Sequence, residues 1–176
     1  MYKKFFIFCI VLITSSCKHK VEESFFNNLS KHCGKTYSGK TVYPENPGEN
    51  FANKKLLMHV KDCSKTEIRV PFKVGEDTSR TWVFTKTDRG LLLKHDHRHA
   101  DGTADEVSMY GGYADEKSTA IKHSFKADKY TSTLIPEASS NVWILSFDEK
   151  KQTFSYYLER HSKARYKAIF SLKENE

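Results

Sequence analysis

The chain has 176 residues, 38% of them hydrophobic and 13% aromatic, enough apolar material for one folded core and too much for a disordered chain. The formal charge is +7, but the lysines are spread along the whole chain among Asp and Glu, and Lys3 and Lys4 lie in what reads as a leader. Such mixing describes a solvated surface rather than a phosphate-binding groove, so nucleic acid is not an expected partner.

The chain opens with a short basic segment, Met1-Tyr2-Lys3-Lys4. An apolar run over 5–13 follows, too short to span a bilayer, and then Thr14-Ser15-Ser16-Cys17. This arrangement resembles a bacterial lipoprotein signal, in which the cysteine becomes the lipid-modified first residue. Thr14 departs from the pattern, which has Leu or a similar residue there. The alternative is an ordinary secretory signal cleaved nearby. Either way the mature chain leaves the cytoplasm. The expected division is a signal over 1–16, a lipidated Cys17 with a polar tether over 17–21, and one domain over 22–176. The expected location is the cell envelope, on the outer membrane or facing the periplasm if the cell is Gram-negative, with the membrane a partner through the lipid anchor.

Export decides how the remaining cysteines read. Cys9 falls in the leader and Cys17 takes the lipid, which leaves Cys33 and Cys63 as a pair in a compartment that permits disulfides. A bridge between them closes a loop of about 30 residues, worth roughly 3 kcal/mol in the loop-entropy account. Two separate buried thiols are the alternative.

Residues 22–32 read as a helix. Phe25, Phe26 and Leu29 share one face, Glu22 and Glu23 lie near the positive end of the dipole, and Gly34 suits the position just past the end. From there the hydrophobic period is two. Strand-like runs fall over 37–43, 55–62, 67–74, 81–87, 91–99, 106–111, 117–125, 141–147, 153–160 and 164–172, with Asp88-Arg89-Gly90 and Asp101-Gly102 among the hairpin signals. About ten short strands with tight turns and no βαβ pattern predict an all-β antiparallel meander. Its simplest form is a closed up-and-down barrel with a short N-terminal helix, able to enclose a small ligand. A two-sheet β-sandwich is the alternative.

The stretches CGKTYSGK, HVKDCSKTEIRVPFKVGEDTSRTW and GLLLKHDHRHADGTADEVSMYGG resemble a family of uncharacterised bacterial secreted proteins and lipoproteins, over most of the chain from Phe25 onward. The resemblance implies an exported single domain and transfers no catalytic residues. In layout, a helix followed by a Gly-Lys-Thr-Tyr-Ser-Gly strand and a meander is similar to the calycin group of ligand-binding barrels, a likeness that does not assign function.

The candidate site is Leu91-Leu92-Leu93-Lys94-His95-Asp96-His97-Arg98-His99. In a strand His95, His97 and His99 share a face with Leu91 and Leu93, while Lys94, Asp96 and Arg98 alternate in charge on the other. The leucines place the histidine row toward the interior or its mouth. A two-residue turn at Asp101-Gly102 sets His97 opposite Glu106, His95 opposite Ser108, Leu93 opposite Tyr110 and Arg98 opposite Asp105. The candidate ligand-binding residues are then His95, His97, Glu106, Ser108 and Tyr110. The same row is a candidate zinc site through His95, His97 and His99, with Glu106 as general base. Satisfied interior histidines, or a row facing solvent, are the plain alternatives.

Asp77-Thr78-Ser79-Arg80 before Trp82 reads either as an anion-binding corner, with Arg80 as a bidentate donor, or as a turn capped by Asp77. Trp82, Phe84, Trp143, Phe154, Tyr156 and Phe170 read as core. There is no serine-nucleophile elbow, phosphate loop or dinucleotide fingerprint, so the reading leans away from an enzyme. Three functions follow as expectations: an exported small-ligand-binding barrel with a His-lined polar site, a zinc hydrolase or lyase using the histidine strand, and a structural or interaction protein of the envelope.

Overall fold

Alternation of apolar and polar residues commits 67–74 and 141–148 to strands with one buried face. Ile68, Val70, Phe72 and Val74 are buried while their neighbours are partly exposed, and Trp143, Leu145 and Phe147 repeat the pattern. A computed structural model describes residues 20–48 and 51–173. The expected leader with Cys9, and Cys17, where lipidation is expected, lie outside the described residues. In chain order the elements are a helix over 20–30 (α1), then Thr36–Tyr43 (β1), Leu56–His59 (β2), Glu67–Val74 (β3), Asp77–Thr87 (β4), Gly90–His97 (β5), Tyr110–Tyr113 (β6) and Lys122–Lys126 (β7). Lys129–Leu134 (α2) and a 3-10 turn at Pro136–Ala138 follow, and Asn141–Asp148 (β8), Thr153–Arg160 (β9) and Lys163–Ser171 (β10) complete the chain.

All ten strands form one antiparallel sheet in the order β6-β5-β4-β3-β2-β1-β10-β9-β8-β7. A single sheet that curls almost to closure is a barrel, so the sandwich alternative is set aside. Because β1 pairs with both β2 and β10, the first and last strands are joined, and the opening falls in mid-chain between β6 and β7.

That seam is held by few bonds. The Asp115 amide donates to the Ser124 carbonyl (2.8 Å), the Asp128 amide donates to the Gly111 carbonyl (2.9 Å), and Ala114 bridges Phe125. Gly112 makes the approach possible, and Gly111 lets β6 close against β5. A Cβ on Gly112 would lie 1.7 Å from the Lys126 carbonyl oxygen, and one on Gly111, at φ +151°, would lie 2.0 Å from that of Leu93. The short α2 pins the same place. Its buried Thr131 hydroxyl bonds both the amide and the carbonyl of Gly111, and its cap Asp128 pairs with Lys94 Nζ at 2.5 Å.

The helix α1 plugs one end of the barrel. It is already helical at residue 20, within the expected tether, and ends at residue 30 rather than 32. Phe25, Phe26 and Leu29 are buried, and the Phe25 ring stacks on His123 with centroids 4.3 Å apart while packing against Phe84 and Phe147. Just beyond α1, Cys33 and Cys63 form a disulfide, which ties the segment after the plug to the loop between β2 and β3. Several expected strands are shorter than their sequence patterns: the 55–62 run is a strand only over Leu56–His59, and the 91–99 run ends at His97. The 106–111 run is a strand only from Tyr110, and the 117–125 run only from Lys122.

Candidate functional site

The histidine strand β5 enters the barrel from the plugged end and leaves it at the open end. Leu91, Leu93 and His95 are buried in sequence-alternate positions, as the leucines required. His97 is half-buried, and His99 is exposed on the turn beyond the strand. The three imidazoles therefore occupy three depths and do not converge. Among the described residues no three His, Cys, Asp or Glu side chains are grouped to hold a metal.

The expected hairpin register is corrected. The loop after β5 has three residues, not two. The Gly102 amide donates to the His99 carbonyl and the His99 amide to that of Thr103 (both 2.9 Å), with Gly102 at φ +85°. A left-handed glycine after a tight turn is the usual three-residue hairpin geometry. Arg98 consequently bridges Ala104 rather than Asp105. The returning chain then bulges over 105–109, with Met109 at φ +58°, before His95 pairs with Tyr110 and Leu93 with Gly112.

This shift sorts the candidate residues. Glu106 is exposed on the bulge and reaches neither histidine. Ser108 is buried, but on the outer side: its hydroxyl accepts from the His97 amide (2.8 Å) and donates to Asp96 (3.3 Å). Asp96, expected on a solvated face, is only 2% exposed because Arg69 (2.5 Å) and Arg98 (3.2 Å) close over its carboxylate. Tyr110 is the one partner that does join His95 and His97.

His95 is fully satisfied. Its Nδ1 lies 3.2 Å from the Tyr110 carbonyl oxygen, which can only accept, so Nδ1 carries the proton. Its Nε2 then accepts from the Tyr156 hydroxyl at 2.9 Å. Burial pushes the His95 pKa down to about 3, against the Tyr110 hydrogen bond that opposes it. Burial likewise raises the Tyr156 phenol well above its ordinary range and that of Tyr110 to about 12. His97 is lowered by burial and then by the Arg80 charge; its Nε2 meets the Tyr110 hydroxyl at 3.0 Å.

These groups border a cavity of about 220 Å³ at the barrel end that α1 leaves open. Polar tips come from His97, Tyr110 and Tyr156, and the apolar walls from Phe51, Phe72, Trp82 and Leu158. Trp82 stacks with Phe72 (4.9 Å) and with Tyr156 (4.8 Å), which fixes the wall. Among the described residues Arg80 is the only Lys or Arg on the lining. Asp77 holds it: its carboxylate takes the Ser79 amide (2.9 Å) and the Arg80 Nη1. Burial would raise the Asp77 carboxyl, but those bonds outweigh it and hold the pKa at about 2. The Asp77-capped turn is thus present, and Arg80 lies on the cavity lining. Other hollows lie elsewhere among the described residues. One of about 260 Å³ lies beside α1 among Lys31, His32, Asp148 and Glu149, and one of about 510 Å³ beside the loop after β1. Neither reaches the histidine strand.

Of the lining, alternation brought in His95 and His97, and Trp82 and Tyr156 were assigned to the core. Phe51 sits in a loop where no periodic pattern exists. Tyr166 lies beyond a register shift in the β9–β10 pair, which breaks the alternation that would have turned it inward. Comparison of the chain with protein-family models, with curated proteins and with solved structures returned no match.

Proposed function

We propose that this is an exported, lipid-anchored barrel that binds a small organic ligand at its open end. The observation that carries the reading is the 220 Å³ cavity, walled by fixed aromatic rings and tipped by His97, Tyr110 and Arg80. Mostly apolar walls with a few convergent polar groups are the usual make-up of a ligand site. The volume is below the roughly 300 Å³ at which such pockets usually begin, so the fitting ligand has one or two rings. Export and anchoring are supported by the basic-apolar leader ending at Cys17, and by the Cys33–Cys63 bridge, which suits an oxidising compartment.

The test is thermal unfolding of the full chain, exported by its host, with a panel of one- and two-ring aromatic compounds. A ligand at a hundred times its dissociation constant adds about 2.7 kcal/mol, which raises Tm by several degrees. A Leu158→Trp variant, which fills the cavity, loses the shift while remaining folded. No shift with any compound, or an equal shift in the filled variant, contradicts the reading.

A further inference from the structure

Arg80 is committed along one edge and open along another. Its Nη1 is taken by Asp77, which leaves the Nε–Nη2 edge with no protein acceptor among the described residues. That edge presents two parallel N–H donors, the geometry that receives a carboxylate in two bonds. The guanidinium is held over the Phe51 ring, 5.7 Å from its centroid, and its side chain is only 25% exposed. His97, paired with Arg80 across β4 and β5, puts a second donor-capable group at the same mouth.

Among the described residues the rest of the lining carries no Asp, Glu, Lys or Arg. His95 is neutral and fully bonded, and the Tyr110 and Tyr156 phenols keep their protons. The nearby carboxylates among the described residues are not on the lining. Asp77 is turned to Ser79 and Arg80, Asp96 is covered by two arginines, and Asp105 caps the Val107 amide at 2.8 Å. A guanidinium with a free fork at the rim and aromatic faces behind it select for a molecule with the same division.

Resting on the ligand-binding reading above, we infer that the cavity takes a small planar aromatic carboxylate, its ring among Phe51, Trp82, Tyr110 and Tyr166 and its carboxylate on the Nε–Nη2 edge of Arg80 beside His97. Charge-assisted double hydrogen bonds in a half-buried site favour the acid over a neutral analogue of equal shape by about tenfold or more.

Calorimetric titration of the full exported chain tests this with indole-3-carboxylate and its neutral amide, on wild type, Arg80→Gln and Arg80→Lys. The expected result is tighter binding of the acid to wild type, loss of that preference in Arg80→Gln with the amide still bound, and partial retention in Arg80→Lys, which keeps charge without the fork. Amide binding by Arg80→Gln also shows that the variant is folded. Equal binding of acid and amide to wild type, or a preference that survives Arg80→Gln, overturns the carboxylate assignment and leaves the cavity reading standing. Failure of both probes to bind wild type overturns the assignment together with the reading it rests on.

Discussion

His95 and His123 are two imidazoles that the barrel keeps dry. His95 spends both nitrogens on protein partners, whereas neither His123 nitrogen has a sound hydrogen bond among the described residues, and its ring rests between Phe25 and Phe125. Burial lowers the His123 pKa to about 4, with the Thr119 and Lys122 backbone opposing. The sign follows from linkage. Below about 6.5 the unfolded chain protonates these rings while the folded chain does not, so stability falls with pH, by about 1.4 kcal/mol per unit for each ring. The fall from His123 ends near pH 4 and that from His95 near pH 3. A carboxylate with a depressed value, such as Asp77, loses its contribution from about pH 3.8 down to about 2, overlapping the low end of the His95 fall but lying below pH 4.5. Urea unfolding at pH 7 and pH 4.5 should therefore show a loss that a His123→Phe variant reduces by about 2–3 kcal/mol, the share of one buried ring over about two pH units, and an unchanged loss contradicts the assignment. At this scale the sequence was partly legible. Leu91 and Leu93 gave the inward face of His95, but nothing in the local pattern marked Asp96 as buried, because Arg69 arrives from another strand.

The hairpin from β5 to β6 shows what an element conceals. Asp101-Gly102 marked the turn, yet the dipeptide serves two-residue and three-residue loops alike, and the choice decides which residues face one another. The bulge over 105–109 moved the pairing further and removed Glu106 and Ser108 from the cavity. The glycine pair after Tyr110 was readable as a bend, but its use at the seam was not, since β7 meets it across the barrel rather than along the chain. Gly112→Ala places a methyl against the Lys126 carbonyl, where overpacking costs about 1–3 kcal/mol. The strain is local, so hydrogen exchange at the Asp115 and Asp128 amides should accelerate well before that of β3 or β4. Uniform protection across the sheet contradicts the view of β6–β7 as the weak seam.

At the scale of the molecule, ten short strands and a leading amphipathic helix were enough to predict an antiparallel meander, because period-two alternation repeats over nearly every segment, but spacing alone left barrel and sandwich both open. Where the opening falls was not legible, since strand order around a barrel leaves no mark within a strand. The helix plug and the Cys33–Cys63 bridge act together, and removing the bridge by Cys33→Ala/Cys63→Ala should lower unfolding free energy by about 2–4 kcal/mol, read from urea midpoints of the oxidised chain. An undiminished midpoint shows that the bridge adds nothing to the plug. The division of labour, one end sealed by Phe25, Phe26 and Leu29 and the other left open beneath Arg80 and His97, is the centre of the account. A crystal structure of the full chain grown with indole-3-carboxylate tests it most directly. One molecule is expected between Phe51, Trp82 and Tyr110 with its carboxylate at Arg80, whereas a cavity closed by side chains, or the compound seated only beside α1, contradicts this division.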